Sequence, residues 1–430
     1  MTERIVIVGG GAGGLELATQ LGRKLGSRGK ALITLIDRNK THLWKPLLHE
    51  VAAGSLDSGL DELDYRGHAA RHHFEFRLGE LESLDREQQQ VVLAPLHDDD
   101  GDEILHRRQI PYDRLVLAVG GVTHDFGIAG VDKHCYFLDS VQQAELFHSK
   151  LVNQFLKVNQ QIEQSADASL RIAIVGGGAT GVELAAELLH SVELLSVYGL
   201  HNLDTSHLKV TLLEAGPRIL GGLPERLSIA ASAQLKELGV EIICNMPVIA
   251  AEEDFLMLQN QQRVDADIMV WAAGVKAPQF LSELGLKTRK NNQIEVNKFL
   301  HSEDERIYAI GDCAACMINE KQLAPPRAQT AHQMANTLYR NIVRETKGRK
   351  AKPFIYKDRG SLISLSRFNA VGNLMGSRSL SMSLEGRLAR LAYASLYRMH
   401  QQALHGWWRL ALLIAIDKVS HALRPRLKLH

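Results

Sequence analysis

The sequence has little cysteine, almost no net charge and no long apolar run, and each shortage excludes a class of protein. Four cysteines in 430 residues, Cys135, Cys244, Cys313 and Cys316, are too few and too unevenly spaced for a disulfide scaffold, which fits a reducing compartment. Set against 49 Asp and Glu, 50 Lys and Arg leave a formal charge of +1, which removes any global electrostatic argument for binding nucleic acid. No stretch approaches the ~18 consecutive apolar residues of a membrane-spanning helix. The longest compact one, Leu410 to Ile416, has seven. Met-Thr-Glu-Arg runs directly into a β-like strand without the basic, apolar and small-residue parts of a secretion signal, so secretion is not expected. What is left is an ordinary folded composition, 45% apolar and 23% charged. The length is about three times a ~150-residue domain, which predicts two or three domains.

The strongest positive feature is an internal repeat. Arg4 to Leu21 (RIVIVGGGAGGLELATQL) and Arg171 to Leu188 (RIAIVGGGATGVELAAEL) share 13 of 18 positions at an offset of 167. Each is a β-branched run, a glycine cluster and then a helical pattern, the order in which a strand feeds a helix in a βαβ unit. In Gly9-x-Gly11-x-x-Gly14 one glycine permits the tight turn, one lets the backbone approach a pyrophosphate, and one allows close helix-strand packing. A second strand, Ala31 to Ile36, ends at Asp37, 23 residues past Gly14, where a carboxylate accepts hydrogen bonds from a ribose. Gly176, Gly178 and Gly181 repeat the pattern, and the strand Leu208 to Leu213 ends at Glu214. A carboxylate there binds a ribose diol and repels a 2′-phosphate, favouring NADH over NADPH, a preference that Arg218 nearby could soften.

Two dinucleotide sites in one chain suggest hydride traffic between a nicotinamide and a flavin. The pattern resembles the two-dinucleotide-binding-domain flavoproteins, in which a later strand ends in Gly-Asp and that carboxylate binds the flavin's ribityl chain. Gly311 and Asp312, at the end of the strand-like run from Arg306, match this element. Members that reduce disulfides carry a cysteine pair beside the flavin, but the first 134 residues hold no cysteine, so thiol-based disulfide reduction is not expected. Cys313 and Cys316 form a C-x-x-C without a second pair or a histidine motif at zinc spacing. They read as two reduced cysteines at a helix start, and no metal is assigned.

Five motifs in one order narrow the resemblance: HLWKPLLHEVAAGSL from His42, GGGATGVELAAEL from Gly176, WAAGVKAP from Trp271, AIGDCA from Ala309, and the A-Q-x-A-x-Q of Ala328 to Gln333. Over essentially the whole chain the sequence resembles the type II NADH:quinone oxidoreductases, the single-subunit respiratory NADH dehydrogenases of Gram-negative bacteria. The resemblance implies an α/β fold with two Rossmann-like domains and a C-terminal amphipathic helical region that associates with a membrane. It puts a discontinuous FAD domain at 1–125 and 290–350, an NADH domain at 126–289, and the C-terminal region, a possible dimerisation surface, at 351–430. By the same resemblance Pro46 and Ala328 join Gly9, Gly11, Gly14, Asp37, Gly311 and Asp312 at non-covalent FAD. Gly274 joins Gly176, Gly178, Gly181, Glu183 and Glu214 at NADH. Gln329 and Gln333 fall where the flavin meets the quinone, and Glu183 positions the nicotinamide or relays a proton. By residue type alone, Glu183 and its counterpart Glu16 are early-helix acids that favour the helix dipole, and the two glutamines are capping or solvent-facing groups. The expected reaction is two-electron reduction of ubiquinone or menaquinone by NADH, without proton pumping. Rival readings are a sulfide:quinone oxidoreductase of the same fold, using cysteines such as Cys135 and Cys316, and a flavin-bearing membrane-associated binding protein.

The near-zero charge conceals a split. From Leu384 to His430 there are eight basic residues (Arg387, Arg390, Arg398, Arg409, Lys418, Arg424, Arg426 and Lys428) and two acids, a balance of +6 against −5 for residues 1–383. Leu388, Leu391, Ala392, Leu396, Met399, Ala403 and Leu404 recur at helical spacing, followed by Trp407, Trp408 and the apolar block. Basic charge, paired tryptophans and too little length to span are marks of a helix lying in a membrane interface. The expectation is peripheral binding of residues 384–430 to anionic lipid on the cytoplasmic face of the inner (plasma) membrane, with a homodimer through the same region compatible with it.

Overall fold

A computed structural model of the chain describes residues 2–165, 167–195, 198–365, 369–375, 381–385, 397–423 and 427–428. The chain divides into two compact units. Met1–Trp44, Glu62–Val122 and Val275–Lys357 make the first, and Lys45–Asp61, Thr123–Gly274 and Asp358–His430 the second. The functional residues are carried or supported by strand β1 (Glu3–Val8), helix α1 (Ala12–Lys24), strand β2 (Ala31–Asp37), helix α2 (Leu48–Ala53), helix α3 (Val141–Ile162), strand β3 (Leu170–Val175), helix α4 (Ala179–Leu195), strand β4 (Leu208–Leu213), helix α5 (Ala328–Glu345) and helix α6 (Trp407–Leu423).

Each unit is built on a five-stranded parallel sheet. In the first the order is Ile307–Ala309, Arg114–Leu117, β1, β2 and Glu75–Leu78. In the second it is Cys135–Tyr136, Ile268–Trp271, β3, β4 and Glu241–Ile243. Ile5, Val6, Ile7 and Val8 are buried without alternation, as are Ile172 to Val175, because both faces of each sheet are covered. The glycine-bearing strand is central in both, and the crevice beside it, at the carboxyl ends of the strands, is where this topology binds ligands. The repeat extends to an ion pair that the sequence comparison did not reveal. Arg4 donates from its backbone and guanidinium to Asp113, both at 2.7 Å, and Arg171 does the same to Asp267, both at 2.8 Å.

The units part at other residues than the resemblance implies. Helix α2 packs on α3 and α4, Ser191 Oγ donates to the Ala53 carbonyl at 2.9 Å, and the His148 ring lies 3.3 Å from the Ala52 carbonyl. Those contacts place Lys45–Asp61 with the second unit, and the chain returns to the first at Val275 rather than at residue 290.

The C-terminal region forms a three-stranded antiparallel sheet of Ser361–Leu365, Asn369–Met375 and Ser381–Glu385. Among the described residues no helix is long and apolar enough to cross a membrane. Leu404, expected on an outward apolar face, is buried, whereas Trp407, Trp408, Leu412 and Ile416 on α6 stand exposed, Trp408 at 92%. Lys428 is not a free basic group, since its backbone donates to the Gly54 carbonyl at 2.8 Å and its Nζ lies 3.3 Å from Asp57. Arg387, Leu388, Arg390, Leu391, Ala392, Leu396, Arg424 and Arg426 lie outside the described residues.

Candidate active site

The glycine loop of the first unit is shaped for a pyrophosphate. Gly9 sits at φ +103°, and a Cβ there would lie 2.4 Å from the Ala118 carbonyl oxygen, so no other residue fits against the neighbouring strand end. A Cβ on Gly14 would meet the Gly9 carbonyl oxygen at 1.9 Å, while one on Gly11 would meet nothing within 4 Å. The open side of Gly11 adjoins the N-terminus of α1, which lacks a side-chain cap. Backbone N–H groups and the positive end of the helix are left for an anion. The second unit repeats the construction. Gly176 at φ +112° abuts Ala272 and Ala273, a Cβ on Gly181 would lie 2.0 Å from the Gly176 carbonyl oxygen, and the space at Gly178 is open.

The acids at the ends of β2 and β4 fold back on their loops. Asp37 Oδ2 accepts from Gly10 N at 2.6 Å, and Oδ1 from Asn39 N at 2.8 Å and Nδ2 at 3.1 Å. Burial raises the Asp37 carboxyl, against the pull of those donors. Glu214 accepts from Gly177 N and Gly216 N, each at 2.7 Å. A carboxylate offers about four acceptor positions, so Glu214 braces its loop with about two left for a ribose diol and Asp37 with about one for a ribose hydroxyl. Arg218, expected to soften the preference for NADH, does not stand ready for a 2′-phosphate. Its guanidinium donates to the carbonyls of Leu220, Gly221 and Leu223 at 3.1, 3.0 and 2.8 Å.

The other residues expected at the flavin converge on the same loop. Gly311 opens the short turn after Ile307–Ala309 at φ +77°, and its own Cβ would lie 3.3 Å from Ala331 Cβ in the first turn of α5. A Cβ on Gly13 would touch both Ile310 Cδ1, at 3.3 Å, and Ala331 Cβ, at 3.4 Å. The fingerprint, the Gly-Asp turn and the start of α5 with Ala328 and Gln329 are therefore one constellation. The Asp312 carbonyl accepts from Gln293 Nε2 at 2.8 Å. Gln333, also on α5, exchanges two hydrogen bonds with the Lys357 backbone, at 2.8 and 2.9 Å. That leaves one amide N–H of the side chain for any further partner. Pro46 lies in the turn Lys45–Leu47 and is grouped with the second unit. Gly274, at φ +72°, packs against the Phe126 ring.

Glu183 is buried on α4, where its Oε1 accepts from Ser364 N at 3.0 Å and its Oε2 lies 3.8 Å from His49 Nδ1. Its counterpart Glu16 is buried on α1 and pairs with His332 of α5. Sequence reasoning missed both histidines, because the partners are 134 and 316 residues apart and no spacing rule joins them. It also missed Tyr65, whose buried hydroxyl donates to the Gly10 carbonyl at 2.8 Å. The signal available was the matched position of Glu16 and Glu183 in the repeat.

The C-x-x-C does not open a helix. Cys313 ends a 3-10 turn and Cys316 ends the strand Ala314–Cys316. Burial pushes the thiols of Cys135 and Cys313 up to about 12 and that of Cys316 up to about 11, so none is a thiolate at neutral pH. Among the described residues no three His, Cys, Asp or Glu side chains are grouped to hold a metal ion.

Comparison with known proteins agrees with this geometry. Residues 3–335 match the pyridine nucleotide-disulphide oxidoreductase family. The type II NADH:quinone oxidoreductase of Haemophilus influenzae is 46% identical, covering 100% of both chains. The solved NDH2 of Plasmodium falciparum in complex with NADH matches with a TM-score of 0.81 at 20% identity, covering 100% of each chain. The sulfide:quinone oxidoreductase of Aquifex aeolicus matches at 0.73 and 18% identity, covering 94% of this chain and 92% of that one. Both structural likenesses are of fold, so fold alone does not separate the two chemistries. Sequence identity over the full length does, and the chain belongs to the pyridine nucleotide-disulphide oxidoreductase family and, within it, to the type II NADH:quinone oxidoreductases.

Proposed function

We propose that the chain oxidises NADH and passes two electrons to a membrane quinone through bound FAD, without pumping protons. The observation that carries this reading is the pair of glycine cradles, each with an open middle glycine and a bracing acid, one in each unit. The first, with Gly9, Gly11, Gly14, Asp37, Gly311, Asp312 and Ala328, holds FAD. The second, with Gly176, Gly178, Gly181, Glu214 and Gly274, holds NADH. Bound FAD supplies the two-electron chemistry between nicotinamide and quinone. In the first unit Asp37 orients the ribose and the open side of Gly11 admits the pyrophosphate. In the second Glu214 receives the ribose diol and, with three of the five Arg218 N–H donors turned to loop carbonyls, disfavours a 2′-phosphate. Glu183 positions the nicotinamide and holds the proton that quinone reduction requires, while Gln329 and the remaining N–H of Gln333 face the quinone.

The quinone is lipid-soluble, and the exposed apolar face of α6 gives the chain a way to reach it. Trp408, Leu412 and Ile416 recur every fourth residue on that face. The helix lies in the interface of an anionic leaflet on the NADH-supplied cytoplasmic side, and a homodimer brings two such helices to one surface. Anaerobic stopped-flow mixing tests the core reading. NADH is expected to bleach the flavin absorbance within the time of one steady-state turnover and NADPH to do so far more slowly. A flavin that stays oxidised with NADH on that timescale overturns it.

A further inference from the structure

Among the described residues three bulky apolar side chains sit on a left-handed backbone, Phe126 at φ +55°, Leu220 at φ +51° and Leu300 at φ +71°. For residues of this size the conformation is strained and lasts only where the surroundings enforce it. Leu220 and Leu300 are enforced by the core, being 4% and 0% exposed, whereas Phe126 is 57% exposed. Folding therefore holds a large aromatic ring in a costly conformation and leaves much of it in water, which burial within the chain does not explain.

The hold on that ring is specific and lies wholly within the second unit. Phe126 N donates to His124 Nδ1 at 2.6 Å, and the His124 carbonyl accepts from Trp271 Nε1 at 2.9 Å. His124 N in turn donates to the Gly274 carbonyl at 3.4 Å. A Cβ on Gly274 would lie 2.6 Å from Phe126 Cζ and 3.0 Å from His124 Cβ, so the missing side chain at 274 is what seats the ring.

Topology says which part of a dinucleotide would meet it. In the sheet β3 is flanked by β4 on one side and by Ile268–Trp271 on the other. Glu214, at the end of β4, belongs to the adenosine ribose, and the open space at Gly178, after β3, to the pyrophosphate. The nicotinamide half then continues away from β4, over the end of Ile268–Trp271. There Ala272 and Ala273 abut Gly176, and Gly274 follows with the Phe126 ring against it. We infer that Phe126 is a binding residue for the nicotinamide ring of NADH, its open side forming an aromatic wall against which that ring packs. The inference depends on the reading that the second cradle holds NADH. Paired aromatic rings gain more than the area they bury, and a ring already fixed in place loses little freedom when the substrate arrives.

Two ligands separate this role from a structural one, NADH and ADP-ribose, which is the same molecule without the nicotinamide ring. The holoenzyme is mixed anaerobically with NADH, and the concentration that half-saturates the rate of flavin bleaching is read. That concentration is expected to rise about fivefold in Phe126→Ala and in Phe126→Leu, which keeps apolar bulk without a ring, and to stay within about twofold of the parent's in Phe126→Tyr. The inhibition constant of ADP-ribose against NADH is expected to change by less than about twofold in each variant. If the alanine variant does not fold, the leucine variant carries the test. An unchanged NADH half-saturation overturns the inference. So does a loss shared equally by ADP-ribose, which marks a structural role, and so does a loss confined to KM for a soluble ubiquinone, which marks an acceptor contact. An unaltered enzyme in which ADP-ribose fails to compete with NADH overturns the reading of the second cradle beneath it.

Discussion

Gly178 and Gly181 show how differently two glycines of one fingerprint are constrained. A Cβ at 181 would strike a backbone oxygen at 2.0 Å, whereas one at 178 would enter open space. Gly181→Ala is therefore expected to cost roughly 1–3 kcal/mol of stability by overpacking, seen as a lower Tm. Gly178→Ala is expected to leave Tm unchanged and raise KM for NADH by crowding the pyrophosphate, and equal Tm losses in the two variants would refute this distinction. These glycines were legible in the sequence because their spacing is local, and so were the acids Asp37 and Glu214. The histidine partners of Glu16 and Glu183 were not, since only the folded sheet brings such distant positions together. Arg218 was misjudged for a related reason. A guanidinium near a ribose acid reads as a phosphate ligand until the loop carbonyls that occupy it are seen.

Among the elements, α6 is the most exposed apolar surface on the described residues of the tail, and it is also where composition was the best guide. The tryptophan pair and the seven-residue apolar block pointed to it, although Leu404 upstream turned inward to pack. Replacing both Trp408 and Leu412 by Glu is expected to cut co-sedimentation with anionic phosphatidylglycerol vesicles several-fold while leaving NADH:ferricyanide activity near the parent's. The basis is the apolar area lost from the interface and the charge added to it. Unchanged co-sedimentation would remove α6 as the anchor. The third antiparallel strand, Ser381–Glu385, carries a legible polar–apolar alternation (SMSLE), so its signal was present in the sequence beside the basic tail. Helix α2 was visible as a motif, but its allegiance to α3 and α4 was not, since a six-residue helix carries too little pattern to say which neighbour buries it.

At the scale of the whole molecule, the Arg4–Asp113 and Arg171–Asp267 pairs, the two cradles and the buried glutamates Glu16 and Glu183 make the chain one design used twice. The two-domain α/β architecture was readable because the repeat is long and glycine-punctuated, while the parting at residues 44 and 274 depends on packing that no linear pattern encodes. Reconstituted in sealed vesicles containing a pH-sensitive dye, the enzyme is expected to turn over NADH and quinone without building a proton gradient. A gradient that collapses with an uncoupler would contradict that. The discontinuity of the first unit also bears on how the chain is made. The sheet of the second unit is complete once Trp271 has been synthesised, but that of the first still waits for Ile307–Ala309, and its helix α5 ends only at Glu345. During synthesis the NADH-binding sheet can close first, while the earliest-made strand, β1, must be kept from wrong partners until late segments arrive. The first sheet is thus closed by a strand made after the second sheet is whole, although the second unit as a body still takes in Asp358–His430 from the end of the chain.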